Sequence, residues 1–171
     1  NGARRHDFHV ALPVTIEQIA ADGARCVARG AAELHVHPRG KDGRESLSTV
    51  DDTMRALWRT CPGTLIGVST GSWIENDVMR TRERIAAWNT LPDYASVNLS
   101  EQDAPAVMDL LDRMGVGIEA GLATVADAER FITLPQRRKV LRVLIEIEEQ
   151  NVRRGDGIVS AICEILNREN V

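Results

Sequence analysis

Ala32-Glu33-Leu34-His35-Val36-His37, closed by Pro38, decides how the chain is read. Its side chains alternate between two faces as a strand requires, and Pro38 ends it because proline cannot donate to a ladder. A helix precedes it. Thr15-Ile16-Glu17-Gln18 is a capping-box pattern, and Ile16, Ile19, Ala20, Cys26 and Val27 then recur at helical spacing up to Gly30. A second helix follows, capped by Ser48, carrying Val50, Met54, Leu57 and Trp58, and stopped by Pro62-Gly63.

The alternation continues. Residues 64–68 read as a strand, and Asn76 or Asp77 opens a helix with Val78, Ile85 and Trp88 that ends before Pro92. Residues 94–99 are a strand, and Ser100 with Asp103 starts the helix of Val107, Leu110, Leu111 and Met114. Strand 116–120, helix 124–132 and strand 140–145 come next, before a last helix with Ile158, Val159, Ile162, Ile165 and Leu166. That makes five strands and six helices. Parallel strands need crossovers of this length, so the expected sheet is parallel.

A doubly wound sheet and a (β/α)₈ barrel both fit this order. The dinucleotide-binding version of the first needs a glycine-rich turn between a strand and a helix, and Gly115-Val116-Gly117 precedes a strand and lacks the third glycine. Polar residues instead end several different strands: His35 and His37, Ser69 and Thr70, Asn98 and Ser100, Glu119. Barrel active sites are built that way. The reading is therefore an α/β (β/α)₈ TIM barrel, with residues 1–171 forming one partial barrel domain.

Composition agrees with a globular domain and excludes other classes. The 171 residues are 43% hydrophobic and 27% charged, with no apolar run of the roughly 18 residues a membrane span needs. Net charge is −4 and aromatics are few, so neither a basic footprint nor stacking platforms for nucleic acid are expected. Cys26, Cys61 and Cys163 form no CxxC pair and read as reduced thiols of a cytoplasmic protein.

His35 and His37 share one face of their strand, with Val36 on the other, so two imidazoles can reach one ion as catalytic zinc requires. A hydrogen-bonded pair at a polar strand end is the plainer alternative. Glu119, within Val116-Gly117-Ile118-Glu119-Ala120-Gly121, needs a cation or donor if buried. It suits a metal neighbour, a substrate orienter or base, or a structural ion pair. Ser69, Thr70 and Gly71 could bind a carboxylate through hydroxyls and backbone N–H groups, or form a polar turn. Asn98 points with Ser96 and Ser100, and Ser100 could equally be a helix cap. Trp58, Trp88 and the methionines read as packing. Gln136-Arg137-Arg138-Lys139 reads as a solvated turn that could attract a CoA phosphate. His6 and His9 precede the first helix with no partner at a useful spacing.

Taken together, Asn1-Gly2-Ala3-Arg4, Ala11-Leu12-Pro13-Val14-Thr15, His35-Val36-His37-Pro38-Arg39, Asp42-Gly43-Arg44, Gly67-Val68-Ser69-Thr70-Gly71, Ala95-Ser96-Val97-Asn98-Leu99-Ser100-Glu101 and Gly117-Ile118-Glu119-Ala120-Gly121-Leu122 resemble the beta-keto acid cleavage enzymes, which include 3-keto-5-aminohexanoate cleavage enzyme. The likeness runs from Asn1 to about Glu148. It implies a zinc-dependent barrel that condenses a β-keto acid with acetyl-CoA, giving acetoacetate and a new CoA thioester. It implies that His35 and His37 are zinc ligands, that Ser69 and Thr70 hold the keto acid's carboxylate, that Asn98 and Ser100 line the substrate pocket, and that Glu119 is catalytic. Gly40-Lys41 stands where the family usually has an aspartate after the arginine.

The resemblance also implies a third zinc ligand, a glutamate on the last strand, with the acid–base arginine and aspartate near it. These, the first strand and the last two βα units are expected outside the 171 residues. Open strand edges then predict closure by further residues or by a partner chain, and so a homo-oligomer. Two alternatives stay open: an aldolase-like metal-dependent lyase that works without CoA, and an inactive barrel fragment serving as a binding subunit.

Overall fold

The computed structural model describes residues 1–5 and 7–170. Among them, five strands alternate with six α-helices: α1 (Ile16–Ala28), β1 (Glu33–Val36), α2 (Val50–Thr60), β2 (Leu65–Ser69), α3 (Val78–Ala86), β3 (Tyr94–Asn98), α4 (Ala104–Met114), β4 (Gly117–Leu122), α5 (Val125–Thr133), β5 (Arg142–Ile145) and α6 (Val152–Arg168). The sheet takes its strands in sequence order, with β1 and β5 as its end strands. β1 pairs in parallel with β2, and β4 with β5. The fold is α/β with the expected parallel sheet. The chain divides into two compact units, residues 1–95 and 96–171, and the division falls within β3.

In the first unit, Thr15 Oγ1 accepts from the Gln18 backbone N–H at 3.2 Å while Gln18 Oε1 accepts from Thr15 N–H at 3.1 Å. The capping box read from the sequence thus starts α1. The second cap differs from expectation. Leu47 is buried in the core, and a 3₁₀ turn over Leu47–Thr49 wraps the chain around it before α2 begins. Ser46, not Ser48, caps that turn, accepting from Ser48 N–H at 3.3 Å. Asp77 caps α3 by accepting from Arg80 N–H at 2.7 Å.

Val50, Met54 and Leu57 form a buried stripe of α2, continued by Cys61 just past its end, and Ile19 and Ala20 of α1 and Ile66 and Val68 of β2 are buried in the same unit. Trp58 falls beside that stripe and is 42% exposed, so it is not the packing residue its spacing suggests. Trp88 is. It is buried, and its indole N–H donates to Leu47 O at 3.0 Å.

In the second unit the core joins Val97 and Leu99, Val107, Met108 and Leu111 of α4, Ile118, Ala120 and Leu122 of β4, and Phe131 of α5. Thr124 and Asp127 form a reciprocal capping box at the start of α5. α4 starts four residues after Ser100, with Asp103 at its cap position making no side-chain capping bond. It ends at Gly115, whose φ of +76° is the left-handed conformation glycine adopts most readily. α6 begins at Val152, capped by Asn151, ahead of the apolar pattern that starts at Ile158. Its first three residues are exposed, and its first turn carries no periodic signal.

The 136–139 turn is more ordered than its composition suggests. It is a 3₁₀ segment with Gln136 buried. Arg137 donates to Ile132 O at 2.5 Å, and Lys139 pairs with Asp112 at 2.6 Å, which raises the lysine's pKa above its ordinary value. No described helix is long and apolar enough to cross a membrane.

Candidate functional site

β1 presents Val36 to the core and His35 to the opposite, exposed face. His37, one residue past the strand, returns to His35's side: the two rings are edge to face, with centroids 5.3 Å apart. The ladder aligns His35 with Gly67 and Val36 with Val68, so the next residue of β2, Ser69, continues the register toward His37. Gly67 leaves space that Tyr94 fills; a Cβ there would sit 2.0 Å from the tyrosine ring. The Tyr94 ring lies 6.3 Å from that of His35, and its hydroxyl donates to Leu34 O at 3.4 Å.

His37 is held from two sides. The side-chain amide of Asn1 donates to His37 O at 2.8 Å and accepts from His37 N–H at 2.9 Å, as a neighbouring strand would. Glu45 Oε2 meets His37 Nδ1 at 2.9 Å and also accepts the indole N–H of Trp73 at 3.2 Å. The loop between β1 and α2 makes this reach possible. Arg39 and Glu45 form an antiparallel bridge, Ser46 N–H donates to Pro38 O at 2.9 Å, and Gly40 N–H donates to Arg44 O at 2.8 Å. Arg39 is itself buried and donates to the carbonyls of Gly2, Arg4 and Gly43, tying the N-terminal segment to this loop. Ser69 and Thr70 are buried at the end of β2, and Ser69 Oγ accepts from Gly71 N–H at 3.3 Å.

The second unit carries its own polar strand face. Glu119 of β4 and Arg142 of β5 are register partners, and Arg142 Nε donates to Glu119 Oε1 at 2.6 Å. Glu119 is buried, so it has the cationic partner that burial of a carboxylate demands. Two residues on, Gly121 lies under Asn98: a Cβ there would come within 2.9 Å of Asn98 Oδ1. Asn98 Nδ2 donates to Glu101 Oε1 at 3.2 Å. Ser100 is exposed in the loop before α4, and Arg130 of α5 clamps that loop by donating to the carbonyls of Leu99, Glu101 and Gln102.

A beta-keto acid cleavage enzyme family model matches residues 1–153. The chain belongs to that family. The match spans both units and every candidate residue, so these two strand faces are read as parts of a beta-keto acid cleavage enzyme. The donor set of the first face fits half of a zinc site. Two imidazoles share it, and a carboxylate on His37 Nδ1 is the arrangement that fixes a coordinating histidine. Among the described residues, no group of three or more His, Cys, Asp or Glu is placed to hold a metal ion.

Several neighbours of the site carry no sequence signal. Asn1, Glu45, Tyr94, Arg130 and Arg142 touch candidate residues or hold the loops that carry them, and Trp73 touches Glu45. Only the two glycines, Gly67 and Gly121, could have pointed to Tyr94 and Asn98, because glycine inside a strand signals close approach of another group. His6 lies outside the described residues, and His9 Nδ1 accepts from Ala11 N–H at 3.1 Å, a local turn contact. A cavity of about 450 Å³ opens at the start of α5, lined by Ala123, Thr124, Ile147, Glu148 and Ile158, and no candidate residue lines it.

Proposed function

We propose that this chain supplies metal-binding and substrate-binding strands of a (β/α)₈ barrel enzyme that condenses a β-keto acid with acetyl-CoA, releasing acetoacetate and a new CoA thioester. The observation that carries the reading is the imidazole pair of His35 and His37 on one exposed strand face, in a chain of this family.

His35 and His37 would hold the metal, a zinc ion. When bound, it would polarise the keto oxygen and stabilise developing enolate charge. Ser69 and Thr70 would take the keto acid's carboxylate through the hydroxyls and the backbone N–H groups that follow β2. Asn98 and Ser100 would contact the substrate, with the Asn98 amide held by Glu101 and its loop by Arg130. Glu119 would orient substrate or accept a proton, held in place by Arg142. A third metal ligand and the principal acid–base pair are proposed to lie outside these residues. A homo-oligomer in the cytoplasm is the proposed working form.

The test is a panel of β-keto acids assayed with acetyl-CoA and zinc, scored for acetoacetate and for the new thioester by mass. Both products are expected, in equal amounts, from one or more acids, and loss of both in H35A and H37A. Cleavage that proceeds without acetyl-CoA would replace this reading with the aldolase-like one. No turnover together with no zinc uptake would leave only a binding subunit.

A further inference from the structure

Glu45 closes the loop that leaves β1, and three features converge on its carboxylate. The turn through Gly43, with φ +76°, and the Arg39–Glu45 bridge bring it back alongside Pro38. Both side chains of the His37–Glu45 pair are nearly buried, at 12% and 10% exposure, so water competes little for the contact. One oxygen, Oε2, takes both the contact to His37 and the indole N–H of Trp73. Trp73 can lie there because Gly71 has no side chain; a Cβ at Gly71 would fall 2.2 Å from the ring. The carboxylate is thereby held by a second group besides His37.

Glu45 Oε2 lies 2.9 Å from His37 Nδ1, the geometry of a hydrogen bond that a carboxylate oxygen accepts and an Nδ1–H donates. In a neutral imidazole the lone pair available to a ligand then belongs to Nε2. We infer that Glu45 is the positioning residue of His37, holding its Nδ1–H tautomer and ring so that Nε2 is the coordinating nitrogen, with Trp73 bracing Glu45. The inference rests on the proposed metal role of His37 only for the use made of Nε2.

The test is ¹⁵N NMR of the imidazoles in the full chain, the His37 signals being assigned by their loss in H37Q, alongside zinc titration of the same samples. The parent should show His37 as the Nδ1–H tautomer. E45A should shift it to a mixture and weaken zinc binding by about 10–100-fold. E45Q, whose amide oxygen can still accept from Nδ1–H, should restore the tautomer and most of the affinity, and W73F should give a smaller loss than E45A. A parent His37 protonated at Nε2 overturns the inference, whatever the variants do. So does an E45A protein with unchanged tautomer and zinc affinity within about twofold of the parent. The metal reading fails separately, if zinc leaves the His35 and His37 signals of the parent unmoved; the tautomer still decides the role of Glu45.

Discussion

Arg142 Nε and Glu119 Oε1 lie 2.6 Å apart across two parallel strands, but the burial is unequal: the glutamate side chain is 4% exposed and the arginine 36%. Removing the arginine therefore takes a cationic partner from the more desolvated charge. Breaking a fully buried pair costs about 3–5 kcal/mol, and the wetter arginine brings the expected cost of R142A to about 1–3 kcal/mol. E119Q keeps an acceptor for Arg142 and should lose only about 1 kcal/mol. If Glu119 works on substrate, E119Q should nevertheless lower turnover by about 10²-fold or more. Urea melts and steady-state rates on the same two variants separate the roles. An E119Q enzyme with parental rate and a lower midpoint would make Glu119 a structural ion-pair member.

The Asn1 amide occupies the backbone donor and acceptor of His37 beside an end strand of the sheet. N1A exposes both groups, and N1D keeps the acceptor but sets a carboxylate against His37 O. Each lost bond is worth about 0.5–1.5 kcal/mol. N1A should thus lower protection of the His37 amide against hydrogen exchange by roughly tenfold, while global stability falls less. N1D should lose less protection than N1A at the same amide, because its carboxylate still accepts from His37 N–H. Equal protection in all three proteins would show that the amide does not hold the strand end.

What could be read from the sequence follows from the range of each signal. Strand and helix periodicity and the capping box at Thr15 are local, so β1 to β5 and the starts of α1 and α5 are legible within a residue or two. Where a buried group overrides local preference, the reading slips: Leu47 pulls the chain into a 3₁₀ turn and moves the cap from Ser48 to Ser46. The histidine pair is legible because strand alternation alone puts two side chains on one face. Its supports are not. Glu45, Asn1 and Tyr94 lie 8, 36 and 59 positions from the histidines they touch, and no pattern in one sequence encodes such contacts.

Gly67 is the position where a single carbon should disturb the histidine face without touching a histidine. Its would-be Cβ falls 2.0 Å from the buried Tyr94 ring, which cannot yield as a flexible side chain would. G67A is expected to cost about 1–3 kcal/mol by overpacking, and more if the ring cannot shift at all. G67A combined with Y94L should recover part of that loss, since the clash and the ring disappear together. A single G67A variant as stable as the parent would mean that Tyr94 does not occupy this space in solution.

The histidines should matter for metal and little for folding, and unequally so. His35 is exposed, and the strand residues that build the core beside it, Val36, Ile66 and Val68, are buried. H35A should therefore melt within about 2–4 °C of the metal-free parent, the shift that about 1 kcal/mol produces in a chain of this size. H37A also leaves the nearly buried Glu45 carboxylate, among the described residues, to the Trp73 N–H, so a further loss of about 1–2 kcal/mol is expected. Zinc should stabilise the parent as its concentration passes the dissociation constant, by about 2.7 kcal/mol at a hundredfold excess over it, with a matching rise in melting temperature that a chelator should reverse fully. Neither alanine variant should respond to zinc. Calorimetry with and without zinc checks all three proteins in one series, and cooperative unfolding lost in both variants at zero zinc would assign the pair to the fold instead of to the metal.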